Sequence, residues 1–171
     1  MMRCHNHLDD LTIQGYQPPL NTQFAVFLDN RVGKLLELIE VFNGHALELV
    51  ALNLADSADH AVVRLVTLYA ELAFRLLKRH NTPFSETEVL VVELDSSKTL
   101  AGMCCSLLSA ELSIHYAYSL TVQPRGLAAI VLHTDDQILA GEVLRRKAFT
   151  LLGENNLGGN ASHGTPGPTT N

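Results

Sequence analysis

The chain has 171 residues, of which 47% are hydrophobic and 18% are charged, and its formal net charge is −6. A chain of this length can bury a real core, and its longest apolar runs are far too short to span a bilayer. The acidic excess argues against a nucleic-acid partner, because that binding depends on Lys and Arg neutralising phosphates. Three cysteines are too few for a disulfide framework, and the N-terminus does not resemble a signal peptide. We therefore expect a reduced, cytoplasmic protein.

The first half of the chain alternates between strand and helix patterns. Apolar and β-branched runs predict strands, and apolar residues at helical spacing predict amphipathic helices. In chain order these elements lie at residues 24–28, 34–42, 47–55, 61–66, 72–79 and from Phe84 onward. The order strand, helix, strand, strand, helix, strand is that of the ferredoxin-like fold.

The second half repeats this order. Its strands and helices are predicted at residues 89–94, 100–107, 114–120, 127–133, 138–146 and 149–152. Sliding one half on the other by about 65 residues pairs Leu35 with Leu100 and Phe42 with Leu107, which indicates an internal repeat. The predicted fold class is α+β, with two tandem ferredoxin-like βαββαβ units that have antiparallel sheets and helices on one face.

Four segments follow from this interpretation. An N-terminal extension at 1–21 precedes a first unit at 22–87 and a second unit at 88–152. The remaining segment, 153–171, is rich in Gly, Asn, Thr and Pro and offers few apolar side chains to a core. We expect it to be a flexible tail.

The turn after the first strand carries a resemblance to a known family. The residues Asp29-Asn30-Arg31-Val32-Gly33-Lys34-Leu35, which lead from a strand into an amphipathic helix, are similar to the equivalent turn of ACT domains. The run from Phe84 to Leu94 resembles the junction in small stand-alone proteins made of two ACT domains. ACT domains bind amino acids and regulate amino-acid metabolism, either fused to enzymes such as phosphoglycerate dehydrogenase or as regulatory subunits of acetolactate synthase.

The resemblance also implies a ligand site, which in the family lies against this turn and is often shared across an interface between domains. The candidate ligand-binding residues are Asp29, Asn30, Arg31, Val32, Gly33, Lys34, Leu35 and Glu48. Glycine allows close backbone approach, and N–H groups at a helix start suit a carboxylate. Asp29 could bind the ligand's ammonium. The alternative is that Asn30 and Gly33 serve only the geometry of the turn.

Three positions depart from the family pattern. Val32 stands where the family usually has Pro, and Glu48 aligns with an Asn found in members that bind polar amino acids. In the second unit the turn at 95–100 is one residue shorter and has no Gly. We therefore expect the first unit to hold the ligand and the second unit to supply an opposing wall.

Other residues carry weaker signals. Cys4, His5 and His7 lie close together, but further ligands are missing nearby, so no metal site is expected. On one predicted strand Tyr116 and Tyr118 share a face and could line a pocket or pack in a contact, whereas strand alternation predicts His115 on the opposite face. No nucleotide-binding or catalytic motif occurs, so neither an enzyme nor a bound cofactor is expected.

The sequence thus predicts a regulatory protein that binds a small molecule, in the first place an amino acid. Side-by-side pairing of sheet edges predicts a homodimer. One alternative is a regulatory subunit of a biosynthetic enzyme such as acetolactate synthase, which would then be its partner. The other is a protein interaction module that has lost its ligand.

Overall fold

Within residues 16–29, 31–56 and 60–158, which the computed structural model describes, the chain forms six strands and four helices. The strands are β1 (Asn21–Asp29), β2 (Leu49–Asp56), β3 (His60–Thr67), β4 (Phe84–Leu94), β5 (Ile114–Ser119) and β6 (Ala128–Thr134). The helices are α1 (Lys34–Asn43), α2 (Ala70–Arg79), α3 (Leu100–Leu108) and α4 (Gln137–Arg146). This order confirms the predicted ferredoxin-like fold of ACT type. The strand predicted at 149–152 is not formed as a strand, since of these residues only Leu151 pairs, in an isolated bridge with Val92.

The strands form one curled antiparallel sheet in the order β2-β3-β1-β4-β6-β5. Its two outermost strands come together, because the Thr121 amide donates to the Val50 carbonyl at 2.9 Å and Ala51 bridges Leu120. The sheet therefore has an inner face, which the two halves turn toward each other, and an outer face.

Strand β4 belongs to both halves of the sheet. Its first part pairs with β1, ending with Val89 opposite Asn21, and its second part pairs with β6, beginning with Leu90 opposite Leu132. The sequence pattern suggests a division between the units after residue 87, and that point lies inside this continuous strand. One strand thus closes the first unit and opens the second.

Three groups of buried apolar side chains hold the layers together. On the outer face, α1 and α2 cover the β1–β3 side around Phe24 and Phe42, and α3 and α4 cover the β4–β6 side around Leu90 and Leu144. The inner face is buried between the halves by Val50, Ala51, Val66, Val89, Val91, Ala129, Val131, Leu152 and Leu157. The core is therefore made of two helix–sheet layers joined back to back.

The start of the predicted tail needs correction. Residues 153–158 pack on the body, where Leu157 is completely buried in the inner cluster and the Glu154 carboxylate accepts a hydrogen bond from the Ala70 amide at 2.7 Å. A single leucine suffices to anchor the segment, since burying one such side chain contributes about 2 kcal/mol. Residues 159–171 lie outside the described part of the chain.

The end of the predicted N-terminal extension also packs on the body. Asn21 is the first residue of β1, is buried, and donates a hydrogen bond to the Leu152 carbonyl at 2.8 Å. Just before it, the Arg145 guanidinium lies 4.1 Å from the Tyr16 ring centroid. The segment at 16–20 therefore lies along α4 of the second unit. Among the described residues, no helix has the length and apolar composition needed to cross a membrane.

Substituting Gly141 tests this packing. A Cβ atom there would lie 2.4 Å from Cβ of Pro18, so we expect Gly141→Ala to lower the free energy of unfolding by about 1–3 kcal/mol. Gly102→Ala is the matched control, because it also replaces a helical glycine but meets nothing closer than 3.4 Å, and it should be neutral or gain up to about 1 kcal/mol. Equal effects in urea denaturation would contradict the docking of Pro18 on α4.

Candidate functional site

The turn between β1 and α1 is tight and ends in a left-handed glycine. The Arg31 amide donates to the Asp29 carbonyl at 2.7 Å, and the Lys34 amide donates to the Arg31 carbonyl at 3.3 Å. Gly33 has φ of 92°, and apart from its two chain neighbours no atom of the described residues lies within 4 Å of where its Cβ would be. Glycine is favoured here by the backbone angle rather than by crowding.

A cleft of about 320 Å³ opens beside this turn. Its walls are the end of β1, the first turns of α1 and the loop at residues 80–83 between α2 and β4. Buried Leu28 and Leu38 give it an apolar lining, while Asp29, Lys34 and Glu37 place charges on it. The volume is at the lower end of the range for small-molecule pockets, which suits a ligand of amino-acid size.

The Lys34 ammonium is held near the cleft by a neighbour. It lies 2.6 Å from Oε2 of Glu37, one turn further along α1. Both side chains are substantially exposed, and exposed ion pairs are worth little to stability. The ion pair between Lys34 and Glu37 can therefore separate at a small cost in free energy, which leaves the Lys34 ammonium able to bind another anion.

The loop at 80–83 is a wall that sequence reasoning missed. The Phe27 amide donates to the Pro83 carbonyl at 2.9 Å, which fastens the loop to β1, and Asn81 has a positive φ of 53°. Two signals could have found it. Asn81 follows the cationic end of α2, where Asn commonly terminates helices, and antiparallel pairing of β1 with β4 returns this loop to the end of β1.

The structure brings together only some of the predicted site residues. Asp29 and Lys34 line the cleft, whereas residues 31–33 are exposed on the adjoining turn and do not line it. Leu35 is half-buried and packs on the first apolar core. Asn30 lies outside the described residues.

Glu48 lies elsewhere in the same chain. It precedes β2, whose first residue pairs with Thr67 of β3, while Asp29 pairs with His60 at the other end of β3. Seven residues of strand separate those two positions, roughly 23 Å at the usual rise per residue. Within one chain Glu48 therefore does not join the cleft.

The corresponding turn of the second unit is filled by its own side chains. Oδ1 of Asp95 accepts hydrogen bonds from the Ser97 amide at 2.6 Å, the Ser97 hydroxyl at 2.8 Å and the Lys98 amide at 2.7 Å. These bonds, the Ser97 hydroxyl first, lower the pKa of Asp95 below its ordinary value. Thr99 then caps α3 by accepting from the Gly102 amide at 3.1 Å. The Ser97, Lys98 and Gly102 amides are therefore already bonded to side chains of the same turn.

The first turn lacks this arrangement. Gly33 precedes α1 without a side chain to cap it, and no side-chain hydrogen bond is recorded at that cap among the described residues. The Lys34 amide donates to the Arg31 carbonyl, whereas the next two N–H groups of α1, those of Leu35 and Leu36, have no partner within the helix and none elsewhere among the described residues. The missing Gly in the second turn led us to expect that the two turns differ. In the structure they differ because Asp95 and Thr99 accept backbone hydrogen bonds in the second turn, whereas Gly33 has no side chain to do so in the first.

A polar cluster joins the two units on the inner face. The Gln23 amide donates to the Tyr116 hydroxyl at 2.7 Å, and the Tyr118 hydroxyl donates to the Gln23 amide oxygen at 2.8 Å. Burial raises the pKa of the Tyr118 phenol, which keeps it a hydrogen-bond donor. Of the two roles considered for the tyrosines, pocket lining or contact packing, the structure shows contact packing between the units.

The predicted orientation of His115 is wrong. A β-bulge lies between Ile114 and Tyr116, so His115 is an extra residue and strand alternation breaks there. Its ring contacts His133, with ring centroids 5.1 Å apart, and the His133 ring stacks on Tyr116. His115, His133 and Tyr116 therefore form one group of rings, although strand alternation predicted that His115 and Tyr116 face opposite sides.

The fold and the turn define a class, namely tandem ferredoxin-like units with an open strand-to-helix turn in the first unit. A family model described as an ACT domain pair matches residues 20–160, so the chain belongs to the ACT domain pair family. ACT domains are regulatory modules that bind small molecules. No curated protein is significantly similar to the chain in sequence.

Solved structures share this fold. A protein from Bacteroides thetaiotaomicron is 26% identical, with a TM-score of 0.72 over 82% of this chain and 96% of that one. The ligand-free regulatory subunit of aspartate kinase from Thermus thermophilus is 7% identical, with a TM-score of 0.50 over 75% of this chain and 93% of that one. The Thermus flavus subunit is 9% identical, with the same score over 75% and 92%. At these identities the two aspartate kinase subunits support the fold alone.

The hydrogen bonds that Asp95 accepts in the turn of the second unit predict that stability depends on pH. Because folding lowers the pKa of Asp95 below 3.8, its carboxylate stabilises the fold above that pH, and the stabilisation is lost as pH falls through the folded-state pKa. Asp95→Asn should therefore be less stable than the wild type at pH 6, and the difference should shrink as the pH falls through the lowered pKa of Asp95.

Urea denaturation across this pH range measures the free energy of unfolding of the wild type and of Asp95→Asn. The control is Thr99→Ala, which removes the uncharged cap of the same turn and should cost about 1 kcal/mol at every pH. An Asp95→Asn deficit that stays constant with pH would contradict the predicted role of the carboxylate.

Proposed function

We propose that the protein is a regulator that binds an α-amino acid in the cleft of its first unit. The observation that carries the proposal is the presence of opposite charges, Asp29 and Lys34, in one cleft beside the uncapped start of α1. Membership of a family of regulatory, small-molecule-binding modules supports it.

The cleft matches an amino acid group by group. The ligand carboxylate would take hydrogen bonds from the Leu35 and Leu36 amides in the first turn of α1 and an ion pair from the Lys34 ammonium. The ligand ammonium would bind the Asp29 carboxylate, and an aliphatic or small polar side chain would contact Leu38 and Val41. Glu37 would give up Lys34 to the ligand carboxylate.

The output would be the activity of a partner. A metabolic enzyme is the partner that best suits a stand-alone amino-acid sensor, with acetolactate synthase as one candidate. In this scheme the chain performs no catalysis itself and works in the cytoplasm; these two statements stay predictions.

A thermal-shift screen of the twenty amino acids tests the binding. At about 100 times its Kd a ligand stabilises the folded state by about 2.7 kcal/mol, which for a chain of this size raises Tm by roughly 5–10 °C. We expect one amino acid or a chemically related few to do so.

Two matched variants localise the effect. Lys34→Ala should reduce affinity roughly tenfold or more, since a charge-assisted contact of about 1.5–3 kcal/mol is lost. Lys98→Ala, which removes the lysine of the second unit's turn, should leave affinity unchanged. If no amino acid raises Tm, the protein interaction module becomes the better interpretation. If Lys34→Ala and Lys98→Ala lose affinity equally, the ligand does not bind in the cleft.

We also infer a homodimer in which a second copy covers the cleft. Val32 and Leu36 are exposed on the turn and on the first turn of α1, and exposed apolar side chains beside a cleft favour a contact there. A second copy could also bring its own Glu48 to the turn, which would reconcile the position of Glu48 with a shared ligand site.

Light scattering after size exclusion checks the assembly. The wild type should elute with the mass of two chains, and Leu36→Glu should shift it to one. Leu108→Glu is the control, because it places the same charge at an exposed leucine of α3 and should leave the dimer intact. A wild-type monomer, or dissociation by both variants, would argue against this interface.

A further inference from the structure

The β-bulge in β5 brings two histidines together on the inner face. Ile114 is opposite Thr134 and Tyr116 is opposite His133, which leaves His115 as the extra residue. Bulges commonly re-aim a side chain, and here Nδ1 of His115 lies 3.2 Å from Nδ1 of His133. At this distance the two neutral rings can share a hydrogen bond.

The separation also fits two ligands of one metal ion. Imidazole nitrogens each about 2.0–2.1 Å from a tetrahedral ion lie about 3.3 Å apart. We propose that His115 and His133 form a binding site for a divalent first-row transition ion such as Ni²⁺, Cu²⁺ or Zn²⁺, which imidazole ligands suit. Mg²⁺ and Ca²⁺ prefer oxygen ligands and should not bind there.

The surroundings of His133 support a preformed site. Its ring lies nearly parallel to that of Tyr116, at 8° with centroids 4.9 Å apart. Tyr116 is held in turn by the hydrogen bond from Gln23, which is only 1% exposed. A ligand whose ring is fixed by packing and hydrogen bonds loses little freedom when the metal binds.

The site is open on its other side. His115 is exposed, so an ion can reach the pair from solvent. Among the described residues no group of three or more His, Cys, Asp and Glu side chains is placed to hold a metal. In the proposed site the described residues supply two ligands, and water or a small chelating molecule supplies the others, an arrangement that differs from a closed structural zinc site.

Calorimetric titration of the full chain with NiCl₂ and with ZnCl₂ is the first test, with MgCl₂ as the negative control. We expect one ion per chain, and roughly tenfold or greater loss of affinity in both His115→Ala and His133→Phe. The phenylalanine keeps a flat ring to stack on Tyr116, so an effect of this variant reports the missing nitrogen rather than a disturbed fold.

Histidines elsewhere serve as controls. His45→Ala and His60→Ala remove exposed imidazoles of the first unit and should leave metal affinity unchanged, as should the double variant His5→Ala with His7→Ala. Electron paramagnetic resonance of the Cu²⁺ form should show hyperfine splitting from two nitrogens in the wild type and from one in His115→Ala.

Three outcomes would overturn the proposal. The wild type could bind no ion, which would leave the hydrogen bond as the only role of the pair. Affinity could survive loss of His115 and His133, or it could disappear only with His5 and His7, which would place the ion at the N-terminus. The test is independent of amino-acid binding, since every titration is made without an amino acid.

Discussion

The arrangement of the whole molecule depends on the hydrogen bonding of β4. Its first six residues pair with β1 and the rest pair with β6, so the two units cannot move apart without breaking a continuous strand. Alternation along this strand also divides the core, because Val89 and Val91 face inward while Leu90 and Val92 face outward. A shift of one residue would exchange these two sets and expose each to the wrong neighbours.

The inner face also carries a buried polar side chain whose hydrogen bonds cross between the two units. This side chain is Gln23, which bonds to both tyrosine hydroxyls of β5. Gln23 lies on β1, the same strand that ends in Asp29 at the cleft. The candidate ligand site and the contact between the units therefore lie on the same strand.

Much of this could be predicted from the sequence, because hydrophobic period and turn chemistry report local structure. The elements, their order and the repeat follow from such patterns, and so does the loss of Gly in the second turn. Features that depend on distant partners were missed. The loop at 80–83 lines the cleft because β4 pairs with β1, and Leu157 anchors the C-terminal segment because it meets an inner core contributed by both units.

His115 and Glu48 show two different limits of sequence reasoning. Alternation predicted the orientation of His115 on the assumption of a regular ladder, and a bulge is invisible when the pattern is a short run of aromatic and polar residues. Glu48 was assigned to the site by alignment with the family, which fixes its position along the chain but not its distance from the turn at the end of β1. Both residues need the pairing of strands, or of chains, to be interpreted.

The difference between the two turns is best understood as a choice between stability and binding. In the second unit Asp95 binds two amides of the turn and Thr99 caps α3 at the Gly102 amide, and such a cap stabilises the fold. In the first unit Gly33 provides no side-chain cap, so α1 forgoes that stabilisation beside Asp29 and Lys34. Because β4 joins the units into one sheet, the well-capped second unit can support the exposed turn of the first. An internal repeat in which only one copy keeps an open turn is therefore physically consistent with a single binding site in each chain.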